Sequence, residues 1–353
     1  GLLNDLRLGR DIDRPNRSYA FRFRPVQAQT AGLFRSTLLV KNPPAHTRLR
    51  GLVSQAFTWR RLKTVEPRIA ELARQRLDVI AEKGEADVMA DLAFPLPVAV
   101  IGELVGVPEG EREPFRELVR RQFSSGDGAA QVTTELESYF ADLVARRRAH
   151  RDDDLLSDLI DARDESGRLS EDELRAMAMI IFLAGFVTTT NLIGNGLLAL
   201  LHHPDELGRL RRDPGLVQPA VQEMLRYDPP VQVVPRTVLE PAELDGRRLP
   251  PGENVVCMVA AANRDPRRFP DPDRFDVGRT DGQPLSFGWG IHHCLGSVLA
   301  SLEGQIVFRQ LIGRFDTIGL LEDDPPLTRG SFLRGRERLP VRVTSAWVAG
   351  SAG

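Results

Sequence analysis

The residue of this chain with the clearest chemical potential is Cys294. It lies in a loop rich in glycine, histidine and aromatic residues, Phe-Gly-Trp-Gly-Ile-His-His-Cys-Leu-Gly over residues 287–296. Apolar residues at helical spacing follow, which predicts an amphipathic helix directly after the loop. At a helix N-terminus, unpaired N–H groups and the helix dipole favour a thiolate over a thiol. We therefore expect Cys294 to act as a nucleophile or as a metal ligand.

Three other segments could support such a thiolate, although each also has an ordinary structural explanation. Glu223 and Arg226 share one helix face at i and i+3, where a surface ion pair is the usual explanation. His46 and Arg50 stand at i and i+4 and would also suit a solvated basic turn. Residues 184–189, Ala-Gly-Phe-Val-Thr-Thr, fall midway along a predicted helix. Small residues there fit close helix packing, and a threonine hydroxyl can bond back to a carbonyl.

Composition and charge describe the protein that must position these residues. The chain has 353 residues, 42% of them hydrophobic and 27% charged, and a formal net charge of -2. This composition predicts a soluble protein with a sizeable core, and it gives no reason to expect nucleic acid or a membrane as a partner. Two cysteines and no secretory signal favour a cytoplasmic location.

Most of the predicted elements are helices. Apolar spacing predicts helices over residues 62–80 and 136–148. The longest predicted helix begins with a capping-box pattern at Ser170 and ends at His203, before Pro204. Because it is apolar on nearly every side, we expect it in the core and not in a membrane.

Short β-branched segments after Tyr227 predict strands over residues 231–238, 242–249, 254–259 and 339–343. We therefore expect one domain over residues 1–353, mainly α in class. Its helix-rich core would cover roughly residues 46–227. A small β-rich lobe, with the Cys294 loop, would cover roughly residues 228–346.

Taken together and in this order, these segments resemble those of bacterial soluble cytochrome P450 enzymes, which are haem-thiolate monooxygenases. The most specific part is Phe-x-x-Gly-x-His-x-Cys-x-Gly over residues 287–296, which is similar to the family's haem-binding loop position by position. Glu-x-x-Arg at 223–226, Asn-Arg-Asp-Pro at 263–266 and Pro-Asp-Arg-Phe at 272–275 follow the family's order. The resemblance covers nearly the whole chain and implies the cytochrome P450 fold.

The resemblance also implies the cofactor and the residues around it. The cofactor would be heme b (iron protoporphyrin IX), with Cys294 as its axial thiolate ligand. The cofactor-binding loop would include Phe287, Gly288 and Gly296, its glycines allowing close approach to the porphyrin. Four residues are similar to those that meet the haem propionates: His46, Arg50, Arg236 and His292. Three are similar to a structural charge triad: Glu223, Arg226 and Arg274.

On the other side of the haem, the resemblance implies that Ala184 and Gly185 make room for dioxygen and that Thr188 helps to deliver protons. The family usually carries an acid just before this threonine, where this chain has Val187. A valine cannot relay protons, so we expect them to arrive through ordered water, through Thr188 or Thr189, or through a substrate group. Fewer residues precede His46 than is usual, so the family's initial helix and first strands are expected to be absent, through truncation or natural shortness.

The implied reaction inserts one oxygen atom from O2 into a hydrophobic small molecule, with a secondary metabolite as the expected substrate. Electrons would come from a ferredoxin, which is reduced by a ferredoxin reductase. The ferredoxin is expected to dock at Arg264, Arg267 and Arg268. Substrate-pocket walls are expected around residues 122–132, 231–234 and 331–333.

Several alternatives remain at this point. A zinc site at residues 292–294 is weak, because adjacent residues rarely share one metal and no second Cys/His pair has zinc spacing. A cysteine hydrolase would need a histidine and an orienting group elsewhere. Two alternatives keep the haem. One is an enzyme that couples or rearranges its substrate, or uses peroxide, without inserting oxygen, as Val187 would suit. The other is a non-catalytic haem-binding protein.

Overall fold

The computed structural model describes residues 2–10, 35–57, 59–124, 129–164, 169–328 and 332–345. Helices account for most of them, as the sequence predicts. In chain order the helices are α1 (Ala45–Ala56), α2 (Trp59–Lys83), α3 (Pro95–Val105), α4 (Arg112–Ser124), α5 (Ala129–Ala149), α6 (Leu155–Asp164), α7 (Glu171–His202), α8 (Pro204–Arg212), α9 (Val217–Tyr227), α10 (Val259–Ala262) and α11 (Ser297–Arg314).

Helix α7 forms the centre of the core and packs against α3, α5, α9 and α11. It begins with the predicted capping box, in which the Glu173 N–H donates to Ser170 Oγ at 3.1 Å and the Ser170 N–H donates to Glu173 Oε2 at 2.9 Å. Within the described ranges, α7 alone is long and apolar enough to cross a membrane, and 67% of its most apolar stretch is buried inside the protein. Its length and apolar character are therefore those of a core helix.

Small antiparallel sheets accompany the helices. One has the order β1 (Leu8–Gly9), β3 (Val233–Val238), β6 (Asn254–Met258), and a second has the order β2 (Glu85–Asp87), β8 (Pro340–Ser345), β7 (Phe315–Leu320). Strands β4 (Ala242–Leu244) and β5 (Arg247–Leu249) form a hairpin. In the first sheet Gly9 lies opposite Thr237. This pairing brings the beginning of the described chain beside Arg236.

The predicted elements are present, with changes at their ends. The segments 62–80 and 136–148 lie inside α2 and α5. The segment 242–249 divides into β4 and β5, because Asp245 and Gly246 turn the chain with φ of 48° and 77°. The strand predicted over 254–259 ends at Met258, where α10 begins. Among the described residues before His46, the chain forms the short strand β1.

Two parts of the fold flank the candidate site. One is the loop of residues 287–296 with the residues that anchor it, which we call the loop side. The other is residues 184–189 of α7, which we call the helix side. Helix α11 starts directly after the loop and packs against both α7 and α9, so the core helices hold the two sides together.

Candidate functional site

The Cys294 loop is a closed turn held by its own backbone. The Cys294 N–H donates to the Phe287 carbonyl at 2.8 Å, and the His293 N–H donates to the Gly290 carbonyl at 3.0 Å. Gly288 and Gly290 adopt φ of 71° and 72°, in the left-handed region that glycine enters without steric cost. A Cβ at Gly290 would also lie 2.7 Å from the Leu3 carbonyl oxygen. The glycine pattern therefore serves the turn itself as well as any approach to a ligand.

Cys294 is exposed, as is Ala184 on α7, and we infer a cleft between the loop side and the helix side. The residue keeps accessible surface, yet protein atoms surround its sulfur, and this burial raises the thiol pKa. A hydrogen bond from the Gly296 N–H and the charge of Arg50 act in the opposite direction. The helix N-terminus by itself would favour the thiolate, but burial of the sulfur has the larger effect. A positive partner such as a metal ion would restore the thiolate.

Asn263 anchors the loop to the core. Its side-chain amide donates to Ser286 Oγ at 2.9 Å, and its oxygen accepts the Leu285 N–H at 2.8 Å. Ser286 Oγ in turn donates to the Leu225 carbonyl of α9 at 2.6 Å. Asn263 is fully buried. Asn263 belongs to the Asn-Arg-Asp-Pro motif, but no role for its side chain follows from the sequence.

A buried ion pair on α9 lies behind this anchor. Arg226 Nε and Nη2 donate to the two Glu223 oxygens at 2.6 and 2.9 Å, and each side chain is 1% exposed. Arg226 Nη1 also donates to the Asn263 carbonyl at 2.9 Å. The ion pair and the loop anchor therefore share Asn263.

The third charge of this cluster is Arg279, so the predicted triad is wrong at Arg274. Arg279 Nε lies 3.3 Å from Glu223, whereas the Arg274 side chain is 62% exposed. Arg274 contributes only its carbonyl, which accepts from Arg226. The neighbouring Phe275 is 1% exposed and takes the inward direction at this turn. Arg274 must then point outward.

The predicted propionate donors come together beside the loop. His46 and Arg236 are 2% and 3% exposed, and the His46 ring meets the His292 ring edge-on with centroids 4.4 Å apart. Arg50 reaches from α1 and donates from Nη1 to the His293 carbonyl at 2.8 Å. Both ring nitrogens of His46 and of His292 are buried without a hydrogen-bond partner among the described residues.

One member of this cluster was not predicted. Arg10, at the end of β1, has a buried Nε with no partner in the described part of the chain. It lies close enough to His46 and His292 for its charge to lower their pKa values. No motif contains this position, and only the pairing of β1 with β3 reveals its proximity.

Burial of these basic groups together disfavours their charged forms. Burial first, and then the charge of Arg10, lowers the pKa of His292 to about 3. Burial likewise lowers the pKa of His46, Arg50 and Arg236, and with the charge of Arg236 it lowers the pKa of Arg10 to about 9. Because no described carboxylate pairs with these basic groups, they suit an anionic ligand. The two carboxylates of haem b fit these donors in charge and in hydrogen-bonding type.

The helix side has few polar groups free to act. The Thr188 hydroxyl donates to the Ala184 carbonyl and the Thr189 hydroxyl to the Gly185 carbonyl, both at 3.0 Å. These are the predicted bonds back to the helix, and α7 stays α-helical through them. Ala184 is exposed midway along a core helix, so the cleft reaches α7 at this point. Val187 is half-buried against the apolar core.

Gly185 has a packing role that the resemblance did not assign. A Cβ at this position would lie 3.0 Å from the Ile101 side chain of α3. The glycine therefore permits close contact between α7 and α3, the ordinary explanation for a small residue in a helix. Of these two small residues, Ala184 is the exposed one.

Two of the predicted substrate-pocket segments lie together. Val231 bridges to Leu333, and the Gln232 N–H donates to the Phe332 carbonyl at 3.1 Å. Residue 331 and residues 125–128 of the predicted walls lie outside the described residues. No group of three or more His, Cys, Asp or Glu side chains in the described ranges has metal-binding geometry.

Comparison with known proteins extends these observations. The family model for cytochrome P450 matches residues 113–214 and 215–341. The chain is 43% identical over 317 residues to 6-deoxyerythronolide B hydroxylase of Saccharopolyspora erythraea, over 88% of this chain and 78% of that protein. It is 44% identical over 314 residues to cytochrome P450 monooxygenase PikC of Streptomyces venezuelae, over 86% of this chain and 75% of that protein.

A solved structure gives the same result for the fold. The Bacillus subtilis bacillaene polyketide synthase cytochrome P450 PksS matches with a TM-score of 0.88 at 37% identity, over 97% of this chain and 87% of that chain. The predicted mainly helical fold with small sheets is confirmed.

Proposed function

We propose that this chain, which belongs to the cytochrome P450 family and is a P450 monooxygenase, acts on a hydrophobic secondary metabolite of polyketide type. The observation that supports a haem enzyme is the cluster of buried basic groups beside the Cys294 loop, in which nitrogens of Arg10, His46 and His292 have no hydrogen-bond partner among the described residues. The substrate class is supported by the names of relatives, which include a 6-deoxyerythronolide B hydroxylase and a polyketide synthase P450. A cytoplasmic location belongs to the proposal, because the long apolar helix is buried and both cysteines are free thiols.

In this proposal the cofactor is held from two directions. Cys294 would be the axial ligand, with the Gly296 N–H bonded to its sulfur. His46, Arg50, Arg236 and His292 would donate to the propionates. When bound, haem b supplies a thiolate-ligated iron that favours O–O cleavage. The protein's own part is to hold the thiolate, neutralise the propionates and limit water near α7.

Proton delivery depends on which side chains of the helix side can donate or accept a hydrogen bond. Thr188 already donates its hydroxyl hydrogen to the Ala184 carbonyl, so its oxygen is free to accept and not to donate. Val187 has no proton to give. We therefore assign Thr188 the task of orienting a water molecule or a substrate hydroxyl, which then supplies the proton. Thr189 is 1% exposed and stays in the helix wall.

The substrate class can be tested by spectral titration of the ferric holoprotein. The panel holds macrolactone polyketides, myristic acid and a steroid. We expect a saturable type I shift of the Soret band with the macrolactones, followed by a product one oxygen atom heavier. A panel in which only the fatty acid or the steroid shifts the band would refute the polyketide class and leave the family assignment intact.

A ferredoxin is the proposed electron donor. The predicted docking residues differ in how far their charges are already paired within the protein. Arg264 pairs with Asp273 at 2.6 Å and stacks on Tyr227 at 4.0 Å, so its charge is already engaged. Arg267 is 88% exposed but pairs with Asp265 at 2.7 Å, whereas Arg268 is exposed and no described carboxylate pairs with it. We expect Arg268→Glu to slow reduction by an acidic ferredoxin several-fold, as loss of steering does. Arg342→Glu on β8 is the control for charge reversal and also breaks the exposed pair of Arg342 with Glu85. Equal rates for both variants would contradict this site.

A second function is favoured by Val187 alone. A haem-thiolate enzyme that couples or rearranges its substrate, or that uses peroxide, does not need an acid on the helix side for proton delivery to dioxygen. Turnover with ferredoxin and its reductase, compared with turnover on peroxide alone, separates the two functions. Product formation only with peroxide, or a product with no added oxygen, would favour this second function.

A further inference from the structure

We propose that Arg10 is a further haem-anchoring residue, donating to a propionate from the position directly after strand β1, and that Asn42 positions it for this task. Neither residue belongs to the motifs that carry the family resemblance. The proposal concerns the cofactor and does not rest on the substrate class.

Asn42 holds the backbone of Arg10 through two hydrogen bonds. Its Oδ1 accepts the Arg10 N–H at 2.7 Å, and its Nδ2 donates to the Arg10 carbonyl at 2.7 Å. A Cβ at Gly9 would lie 2.4 Å from Asn42 Oδ1, so this contact requires glycine there. The chain at residues 9–10 is therefore built to let Asn42 hold Arg10 in one place.

The same asparagine ties Arg10 to the predicted donors on α1. The His46 N–H donates to the Asn42 carbonyl at 2.9 Å, at the start of the helix that carries His46 and Arg50. On the other side, β1 pairs with β3, which carries Arg236. Arg10 is thus fixed between the two elements that supply the other cations.

The surroundings of Arg10 require an anion. Its Nε is buried without a partner in the described part of the chain, and the nearby charge of Arg236 disfavours its charged form further. No described carboxylate pairs with it. A guanidinium desolvated among other basic groups is stable only when an anion joins them. A propionate supplies that anion, and a guanidinium fork can bind it through two hydrogen bonds.

Arg7 provides a matched contrast on the same short segment. Its guanidinium is largely exposed and makes a two-point ion pair with Asp5, with contacts of 3.0 and 2.7 Å. It has no need of a further anion. Replacement of Arg7 therefore controls for any general effect of removing a charge near β1.

The test measures haem transfer from the substrate-free ferric holoprotein to apomyoglobin, together with the ferric/ferrous midpoint potential. We expect Arg10→Gln to release haem about tenfold faster or more, the effect of losing one hydrogen bond between charged groups. Its potential should fall, because a positive charge near the haem has gone. Asn42→Ala should show a smaller change in the same direction, and Arg10→Lys should restore the potential but only part of the retention.

Arg7→Gln should match the wild-type protein in both measurements. The proposal is overturned when Arg10→Gln releases haem at the rate of Arg7→Gln. It is also overturned when Arg10→Gln releases haem faster at an unchanged potential, because that result indicates a structural role only.

Discussion

The loop side and the helix side of the cleft satisfy their polar groups in opposite ways. On the loop side, Asn263 and Arg226 bond across the fold and join α9 to the segment that precedes Cys294. On the helix side, Thr188 and Thr189 bond only to carbonyls of their own helix. Long-range bonds fix a position, whereas local bonds leave a surface without free donors. The loop side is therefore built to hold one atom in place, and the helix side depends on what enters the cleft.

The largest expected effect is the loss of the loop side's one reactive atom. We expect Cys294→Ser to reduce monooxygenase activity to background, because a serine hydroxyl is not ionised at neutral pH and cannot replace the thiolate. A carbon monoxide difference spectrum of the reduced protein measures the change directly. Cys257→Ser, which alters the chain's other cysteine, should keep the thiolate-type spectrum. Retention of that spectrum in Cys294→Ser would exclude Cys294 as the ligand.

The next largest effect tests the long-range bonds. Arg226→Met leaves the Glu223 carboxylate buried without its closest partner, which costs about 3–5 kcal/mol in the free energy of unfolding. Chemical denaturation of the holoprotein, followed by far-UV CD, gives this quantity. Arg274→Met removes an exposed side chain and should stay within about 0.5 kcal/mol of wild type. Equal losses in the two variants would restore Arg274 to the triad.

An acid with a raised pKa lies on α11, the helix that follows the loop. Glu303 is 1% exposed, and its Oε2 has no partner in the described ranges, so burial raises its pKa to about 8. Between its unfolded pKa and this value, the folded state binds the proton more tightly. The contribution of Glu303 to stability is therefore greatest at low pH and falls as pH rises from about 5 to 8, by an amount on the order of 3 kcal/mol.

Glu303→Gln should remove this slope, because a glutamine does not titrate. Thermal unfolding of both proteins at pH 5.5 and pH 8 provides the comparison. We expect the wild-type midpoint to fall over this interval and the variant midpoint to fall less. Parallel behaviour of the two proteins would mean that Glu303 is already ionised at pH 5.5.

The smallest expected effect is the most informative about the helix side. Val187→Glu places a proton source next to Thr188 and should change the fraction of electrons that end in product by about a few-fold, because a general acid there would take part in proton delivery. Val187→Leu is the control for size. Product formed per electron consumed is the measurement. An unchanged ratio in Val187→Glu would show that this position has no part in proton delivery.

The sequence predicted the long helix and the Cys294 loop because each leaves a local signature. The capping box at Ser170 and the glycines around Cys294 are short-range patterns, and the structure places both as predicted. The exchange of Arg274 for Arg279 could not be predicted. Both arginines lie in an irregular segment, and no periodicity there tells which side chain points inward.

The roles of Arg10 and Gly185 could not be predicted for other reasons. The position of Arg10 depends on pairing between strands more than two hundred residues apart, which no local pattern records. At position 185 a small residue suits a ligand as well as a neighbouring helix, and only the structure reveals the contact with Ile101.

The bonds of Asn263 also determine how the loop opens. Because this one side chain holds Leu285 and Ser286 while its carbonyl accepts from Arg226, the loop cannot separate from α9 without breaking the core. The amide hydrogen of Cys294, bonded to the Phe287 carbonyl, should then exchange with deuterium only at the rate of global unfolding. Amides of the exposed β4–β5 hairpin should exchange through local fraying. In this chain the iron-ligating segment and the hydrophobic core would open as a single cooperative unit.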